Sequence, residues 1–317
     1  MAITKIALNN ITVFKHLELN LNKGINLFIG DNGTGKTHLL KMLYLTYQRK
    51  TITRSREILD EKYIRQYDDN RQCKSNVVVW YDLDGREETC WIQEDAEKLC
   101  CSSNEMVYIP VNEMLSHSKG LLALSRKYKL PYDKTEIDII SNAELPETLE
   151  VSSLEQTILD QIGAIIGGEV IYEDDTFYIK KTNGIKIEFS LESEGMRKIG
   201  LLWKLIKNGL ICKNSILLWD EPEANLNPSL IPTLVGIMLE LQRAGIQIFI
   251  ATHSYNLAKY FEVKRAAIDN VLFHNLVKKD TEAVVESKEY FGELKGNKII
   301  QADEDLLDMV FEKNLED

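Results

Sequence analysis

Eight residues constrain this chain most. Gly30-Asp-Asn-Gly-Thr-Gly-Lys-Thr37 follows the apolar run Ile25–Ile29 and precedes Leu39, Leu40, Leu43 and Tyr47 at helical spacing. A strand, a glycine-rich turn and a helix in that order make a P-loop. The glycines let backbone N–H groups turn inward around phosphate oxygens, and the helix start adds its unpaired donors. Gly30, Asp31, Asn32, Gly33, Thr34 and Gly35 then form a cradle. Lys36 is expected to reach the β- and γ-phosphates of a bound nucleotide, and Thr37 to ligate Mg²⁺ through its hydroxyl.

Three further segments are read as partners of that loop. Ile216-Leu-Leu-Trp-Asp220-Glu221-Pro222 is a buried strand ending in adjacent carboxylates, which is costly unless something positive waits at the strand tip. Asp220 is expected to hold Mg²⁺, and Glu221, one residue on, to polarise the attacking water. Ala251-Thr-His253-Ser254 ends the next buried strand. Parallel strands bring their C-terminal tips together, so His253 is expected at the γ-phosphate. Ser193-Glu194-Gly195 opens a helix 27 residues before Asp220. It is either an anion site or an ordinary serine cap.

Around these motifs the chain reads as alternating strands and helices. Strands are expected at 3–8, 17–21 and 25–29, a hairpin at 77–82 and 88–93, and a strand at 106–111. A largely helical stretch covers 113–165, without the heptads of a coiled-coil arm. Strands at 170–173, 177–181 and 185–190 follow, with Asn183-Gly184 expected as a type I′ turn. A helix from 194 to 209, strands at 215–219 and 246–251, and a helix started by Asn227 and Pro228 complete the core. The apolar face of a last helix, 303–315, is expected to dock on that core. One domain results: residues 1–112 and 211–317 as the nucleotide-binding lobe, 113–210 as a helical lobe.

Charge narrows the partners. The 317 residues carry 38 Lys+Arg against 49 Asp+Glu, a net −11, and residues 133–175 hold twelve acids against Lys134 alone. An acidic chain is a poor non-specific DNA binder, because phosphate backbones reward clustered cations. Arg49, Lys50, Arg54, Arg56, Lys62 and Arg65 are the candidates for a local basic face toward DNA or RNA. Five cysteines without a CxxC pattern, no leader-like start and no run long enough for a membrane span suggest a cytoplasmic protein with reduced thiols.

Taken together, Gly30–Thr37, Ser193–Gly195, Leu218–Pro222 and Thr252–Ser254 resemble the ABC-type ATPase heads of the RecF, SMC and OLD-nuclease group. Asp220-Glu-Pro-Glu-Ala-Asn-Leu-Asn-Pro228 looks especially like the stand-alone AAA family (ABC-type) ATPases of bacterial anti-phage defence. Tyr108–Met114 is similar to a segment of the same group. The resemblance implies an α/β P-loop NTPase fold with an antiparallel N-terminal β subdomain, a RecA-like core and a helical lobe. It also implies ATP and Mg²⁺ as ligands, and a homodimer in which Lys36 of one head and Ser193 of the other meet one nucleotide. A D-loop would fall at 223–227. Asn112 or Glu113 would stand in for the Q-loop glutamine, or merely cap the following helix. Glu194 stands where transporters have glycine. The 64 residues after His253 are too few for the Toprim nuclease of OLD proteins. The function so implied is ATP hydrolysis in a sensor or regulatory subunit governing a separate effector, a nuclease or toxin. The alternatives are a RecF-like DNA-repair ATPase and an ATP-stabilised scaffold.

Overall fold

The computed structural model describes residues 1–47, 76–83, 85–93, 97–98, 105–279 and 282–316. In chain order its first strands are β1 (Ala2–Ile11), β2 (Phe14–Asn20) and β3 (Ile25–Ile29), followed by α1 (Lys36–Leu45). Next come β4 (Asn76–Leu83), β5 (Arg86–Gln93), β6 (Glu97–Lys98) and β7 (Met106–Ile109). The helices α2 (Leu121–Lys127), α3 (Lys134–Ala143) and α4 (Ser153–Ile166) lead to β8 (Gly168–Glu173), β9 (Thr176–Lys181) and β10 (Lys186–Glu188). Then follow α5 (Glu194–Lys207), β11 (Ile216–Asp220), α6 (Ile231–Arg243), β12 (Gln247–Thr252) and α7 (Tyr255–Lys264). The chain ends with β13 (Val271–Lys279), β14 (Glu282–Lys288) and α8 (Lys298–Glu316). Arg49, Lys50, Arg54, Arg56, Lys62 and Arg65 lie outside the described residues.

Two compact units divide the chain: Met1–Ser103 with Phe249–Asp317, and Asn104–Ile248. In the first, an antiparallel sheet runs β2-β1-β4-β5-β6. Its register follows the apolar alternation, Ile6 facing Leu19 and Leu8 facing Leu17, with all four side chains buried. A one-residue slip would turn these side chains to the opposite face. A second layer runs β14-β13-β3, with β13 parallel to β3 and Asn275 opposite Ile29. Every residue of β3 is buried, as in a strand covered on both faces. The loop that leaves its end carries the P-loop residues.

In the second unit β7 and β11 pair in parallel, Tyr108 opposite Leu218 and Ile109 opposite Trp219. The helical stretch expected over 113–165 is present as a 3₁₀ turn and α2–α4. Capping boxes at Asp133/Glu136 and Ser152/Glu155 start α3 and α4, and Gly167 in a left-handed conformation ends α4. The antiparallel unit β10-β9-β8 is present too.

Two expectations need correction. Gly184 has positive φ but Asn183 does not, so Asn183-Gly184 is no type I′ turn. Gly184 N–H bonds to Lys181 O and Lys181 N–H to Ile185 O, so the loop holds three residues, a turn over 181–184 that ends in one left-handed glycine. The type I′ turn is Asp174-Asp175, both left-handed at φ 49° and 57°, between the paired residues Glu173 and Thr176. Nor does the last helix dock along its length. Leu306, Leu307, Met309, Val310 and Phe311 of α8 are all exposed. Helical spacing reports an apolar face but not what covers it.

Candidate nucleotide site

The first unit supplies the loop. Gly35, at the N-cap of α1, holds φ at 96°, and no side chain caps the helix. A Cβ there would come within 2.6 Å of both the Phe14 ring and Val13 Cγ2. Only glycine therefore lets the turn reach the β1–β2 corner, and the N–H groups of the first helical turn face the loop interior. Lys36 is buried, and its ammonium donates to Gly30 O at 2.7 Å and Asp31 O at 2.9 Å. The charge is thus held over the concavity of the loop. Thr34 is buried and its hydroxyl donates to Asp31 O at 2.8 Å, which tightens the turn. Asn32 and Gly33 are exposed at the tip, and Thr37 is half-buried in the first turn of α1.

Beside the loop lies a crevice lined by Gly30, Asp31, Lys278 and Lys298 among others. Lys298, at the start of α8, pairs with Asp31 at 3.0 Å. In the same unit Thr252 ends β12, and Ser254 caps α7 by accepting from Leu257 N–H. Ser254 N–H donates to Thr252 Oγ1 at 2.9 Å. Between these two hydroxyls His253 is exposed.

Carboxylates come from the second unit. All five residues of β11 are buried, and Asp220 closes it at 1% exposure. Tyr108, on the neighbouring strand, donates its hydroxyl to Asp220 Oδ2 at 3.2 Å. Glu221 follows in a left-handed conformation, φ 46°, and is half-buried. Ser193 is the N-cap of α5, yet its exposed hydroxyl makes no capping hydrogen bond. Ser193 thus holds the cap position without closing it through its side chain. Glu194 and Gly195 form the first turn of α5 behind it. Glu113 accepts from the N–H groups of Leu115 and Ser116, so it caps the following turn, and it pairs with Arg197 at 3.1 Å. Asn112 donates to Glu136 at 3.2 Å.

The donor chemistry suits the expected ligands. An uncapped helix start with an enclosed ammonium fits phosphate, and the Thr37 hydroxyl and Asp220 carboxylate are hard oxygen donors of the kind Mg²⁺ takes. The contacts of two residues escaped sequence reading. Tyr108, read only as part of the segment Tyr108–Met114, meets Asp220 through the strand register. Lys198 stands with Leu202 and Leu205 at i, i+4 and i+7, a lysine on an apolar helix face, and that was the available signal.

The chain is similar to several known proteins. The profile of a family described as "AAA ATPase domain" matches residues 1–157, and that of "AAA domain, putative AbiEii toxin, Type IV TA system" matches 110–259. Among relatives, the DNA replication and repair protein RecF of Clostridium botulinum (strain Eklund 17B / Type B) is 44% identical over 57 residues, 18% of this chain and 16% of that protein. The DNA double-strand break repair Rad50 ATPase of Nanoarchaeum equitans is 27% identical over 144 residues, 44% of this chain and 17% of the relative. The chain thus spans about a sixth of the length of these relatives. The SMC head domain from Thermotoga maritima superposes with a TM-score of 0.52 at 14% identity, covering 91% of this chain and 99% of that one. The Smc head with an extended coiled coil from Pyrococcus furiosus, bound to the C-terminal domain of ScpA, gives 0.56 at 12% identity, covering 96% and 99%. The fold is the α/β P-loop NTPase fold of an ABC-type ATPase head. Among the described residues no helix is long and apolar enough to cross a membrane.

Proposed function

We infer that this ABC-type ATPase head of the RecF/SMC group binds ATP at Gly30–Thr37 and hydrolyses it. The observation that carries the inference is the uncapped start of α1 behind the enclosed Lys36 ammonium. Backbone N–H groups and one cation converge there, which is what a triphosphate tail needs. Mg²⁺ held by Thr37 and Asp220 would neutralise charge developing on the β- and γ-phosphates. Tyr108 orients the Asp220 carboxylate for that task through its hydroxyl. Glu221 polarises the attacking water, and His253, exposed at the tip of β12, contacts the γ-phosphate. Ser193, Glu194 and Gly195 meet the nucleotide of a second copy, so that two heads enclose two ATP molecules. The free capping position of Ser193 supports this role.

Lys36→Ala removes the cation facing several phosphate charges and should abolish ATP binding, beyond slowing turnover. Unchanged affinity in titration calorimetry would refute the assignment. Glu221→Gln keeps the shape of the side chain but removes the base. Turnover should fall at least about 100-fold, while ATP still binds and closed dimers accumulate. Normal turnover with monomer alone in size-exclusion chromatography would remove both roles.

The process we propose is regulation: a cytoplasmic subunit of a bacterial anti-phage defence system that controls a separate nuclease or toxin. The profile whose description mentions a toxin supports it. The RecF match favours a second reading, a DNA-repair ATPase binding DNA or RNA. Binding to duplex DNA that weakens steeply with salt would decide for the repair reading.

A further inference from the structure

The backbone around Glu221 is held in an unfavourable conformation by one buried cation. Glu221 at φ 46° and Asn225 at φ 61° are both left-handed without being glycine. Such a conformation is costly for a residue other than glycine, less so for asparagine, and persists only where its surroundings over-determine it. Here the surroundings are α5. Lys198 is 2% exposed, and its Nζ donates to Ala224 O at 3.1 Å and Glu221 O at 3.4 Å. One turn earlier the helix backbone itself abuts the loop. A Cβ on Gly195 would stand 2.9 Å from Asn225 O and 3.1 Å from Leu226 Cδ1. The first turn of α5 and residues 221–226 are therefore one packed unit.

A buried lysine is an expensive way to fill that space. Desolvation lowers the pKa of Lys198, opposed by the nearby carboxylates of Glu194, Glu223, Glu221 and Asp220. A methionine of similar length would pack there without the desolvation cost. What methionine cannot do is donate to the two carbonyls that the left-handed turn points inward. The ammonium thus specifies a backbone path, and that path aims the Glu221 side chain.

Building on the assignment of Glu221 as the group that polarises water, we propose that Lys198 is a positioning residue for hydrolysis. It fixes the turn 221–225 and ties it to the helix that begins with Ser193. The aim of Glu221 then depends on where α5 stands, and α5 carries the residues that meet the second copy's nucleotide. Seating of the partner head and readiness of the base are joined through one side chain.

The test is a double-mutant cycle in steady-state ATPase assays on the full chain, with ATP affinity measured in parallel. Lys198→Met should lower kcat about 10- to 100-fold, the scale expected when a catalytic group is displaced by about 1 Å. KM and Kd for ATP should stay within about threefold, because the P-loop is untouched. In the Glu221→Gln background the same substitution should leave the residual rate unchanged, since positioning acts only through the carboxylate. Equal fold-losses in both backgrounds would overturn the proposal in favour of a general structural role. Wild-type kcat in folded Lys198→Met would overturn it as well. If Lys198→Met does not fold, Lys198→Gln keeps two neutral N–H donors at shorter reach and should still lower kcat at least about fivefold with KM unchanged. Wild-type kcat in Lys198→Gln would then be decisive against. A Glu221→Gln enzyme that turns over normally defeats the underlying assignment, a result distinct from any of these.

Discussion

His274 lies fully buried in β13, outside the sequence motifs but opposite Phe28 of β3, and shows what burial does to a titratable side chain. Its Nδ1 is 2.7 Å from Ser287 Oγ and its Nε2 3.2 Å from Asn26 Oδ1. Asn26 Oδ1 can only accept, so Nε2 carries a proton, and in the neutral ring Nδ1 accepts a hydrogen bond from the Ser287 hydroxyl. Burial lowers its pKa from 6.5 to about 3. Well above pH 6.5 neither folded nor unfolded chain is protonated there, and the residue makes no pH-dependent contribution. Below 6.5 the unfolded chain takes up a proton that the folded chain refuses, so stability falls until about pH 3. The slope is roughly 1.4 kcal/mol per pH unit. His274→Gln should remove that slope, and urea titrations of both proteins at pH 7 and 5.5 measure the difference. An identical loss in both would mean that His274 is protonated in the fold. The residues read as chemical in the sequence were those in spaced motifs, where neighbours on the chain are neighbours in space. His274, Tyr108 and Lys198 act through partners 13 to 248 positions away, which no local pattern encodes.

Among the elements, strands and helices were legible because their apolar periods of 2 and 3.6 are written into single segments. Turn chemistry was less so. Asn-Gly is the stronger type I′ signal, yet the type I′ turn fell to Asp174-Asp175, since the register of β8 with β9 leaves two residues between Glu173 and Thr176. The β9–β10 connection closes instead through the Lys181–Ile185 and Lys181–Gly184 bonds, which need only one left-handed residue. Aspartate tolerates the left-handed region less well than asparagine does, and Asp174 also adjoins the carboxylates of Glu173 and Asp175. Asp174→Asn should stabilise this hairpin by about 0.5 kcal/mol, slowing native-state hydrogen exchange of the β8–β9 amides about twofold. Faster exchange would mean that the Asp174 carboxylate supports the turn. For α8 the sequence revealed the stripe Leu306, Leu307, Val310 and Phe311 but could not reveal its exposure, because a core and a partner surface demand the same spacing.

At the scale of the whole molecule, the alternation of strand and helix on both sides of a helical insert was enough to anticipate the fold that the solved SMC heads share. Charge carries the remaining leverage. Each copy bears a net −11, so if two heads close around ATP as proposed, they approach against like charge. That repulsion acts over about 30 Å at 0.01 M salt but only about 8 Å at 0.15 M. Closed dimers of Glu221→Gln with ATP should therefore form several-fold more readily as salt rises through this range. Duplex DNA binding has the opposite sign, because a protein contacting six or more phosphates loses about 10³-fold or more between 50 and 200 mM salt. Light scattering of the variant with ATP, run across one salt series with and without DNA, reads both slopes at once. If dimerisation weakens with salt in the absence of DNA, the facing surfaces are locally complementary in charge and the net −11 does not govern assembly. If association instead requires DNA and dissolves with salt, the heads are bridged by nucleic acid, and the repair reading gains over the regulatory one.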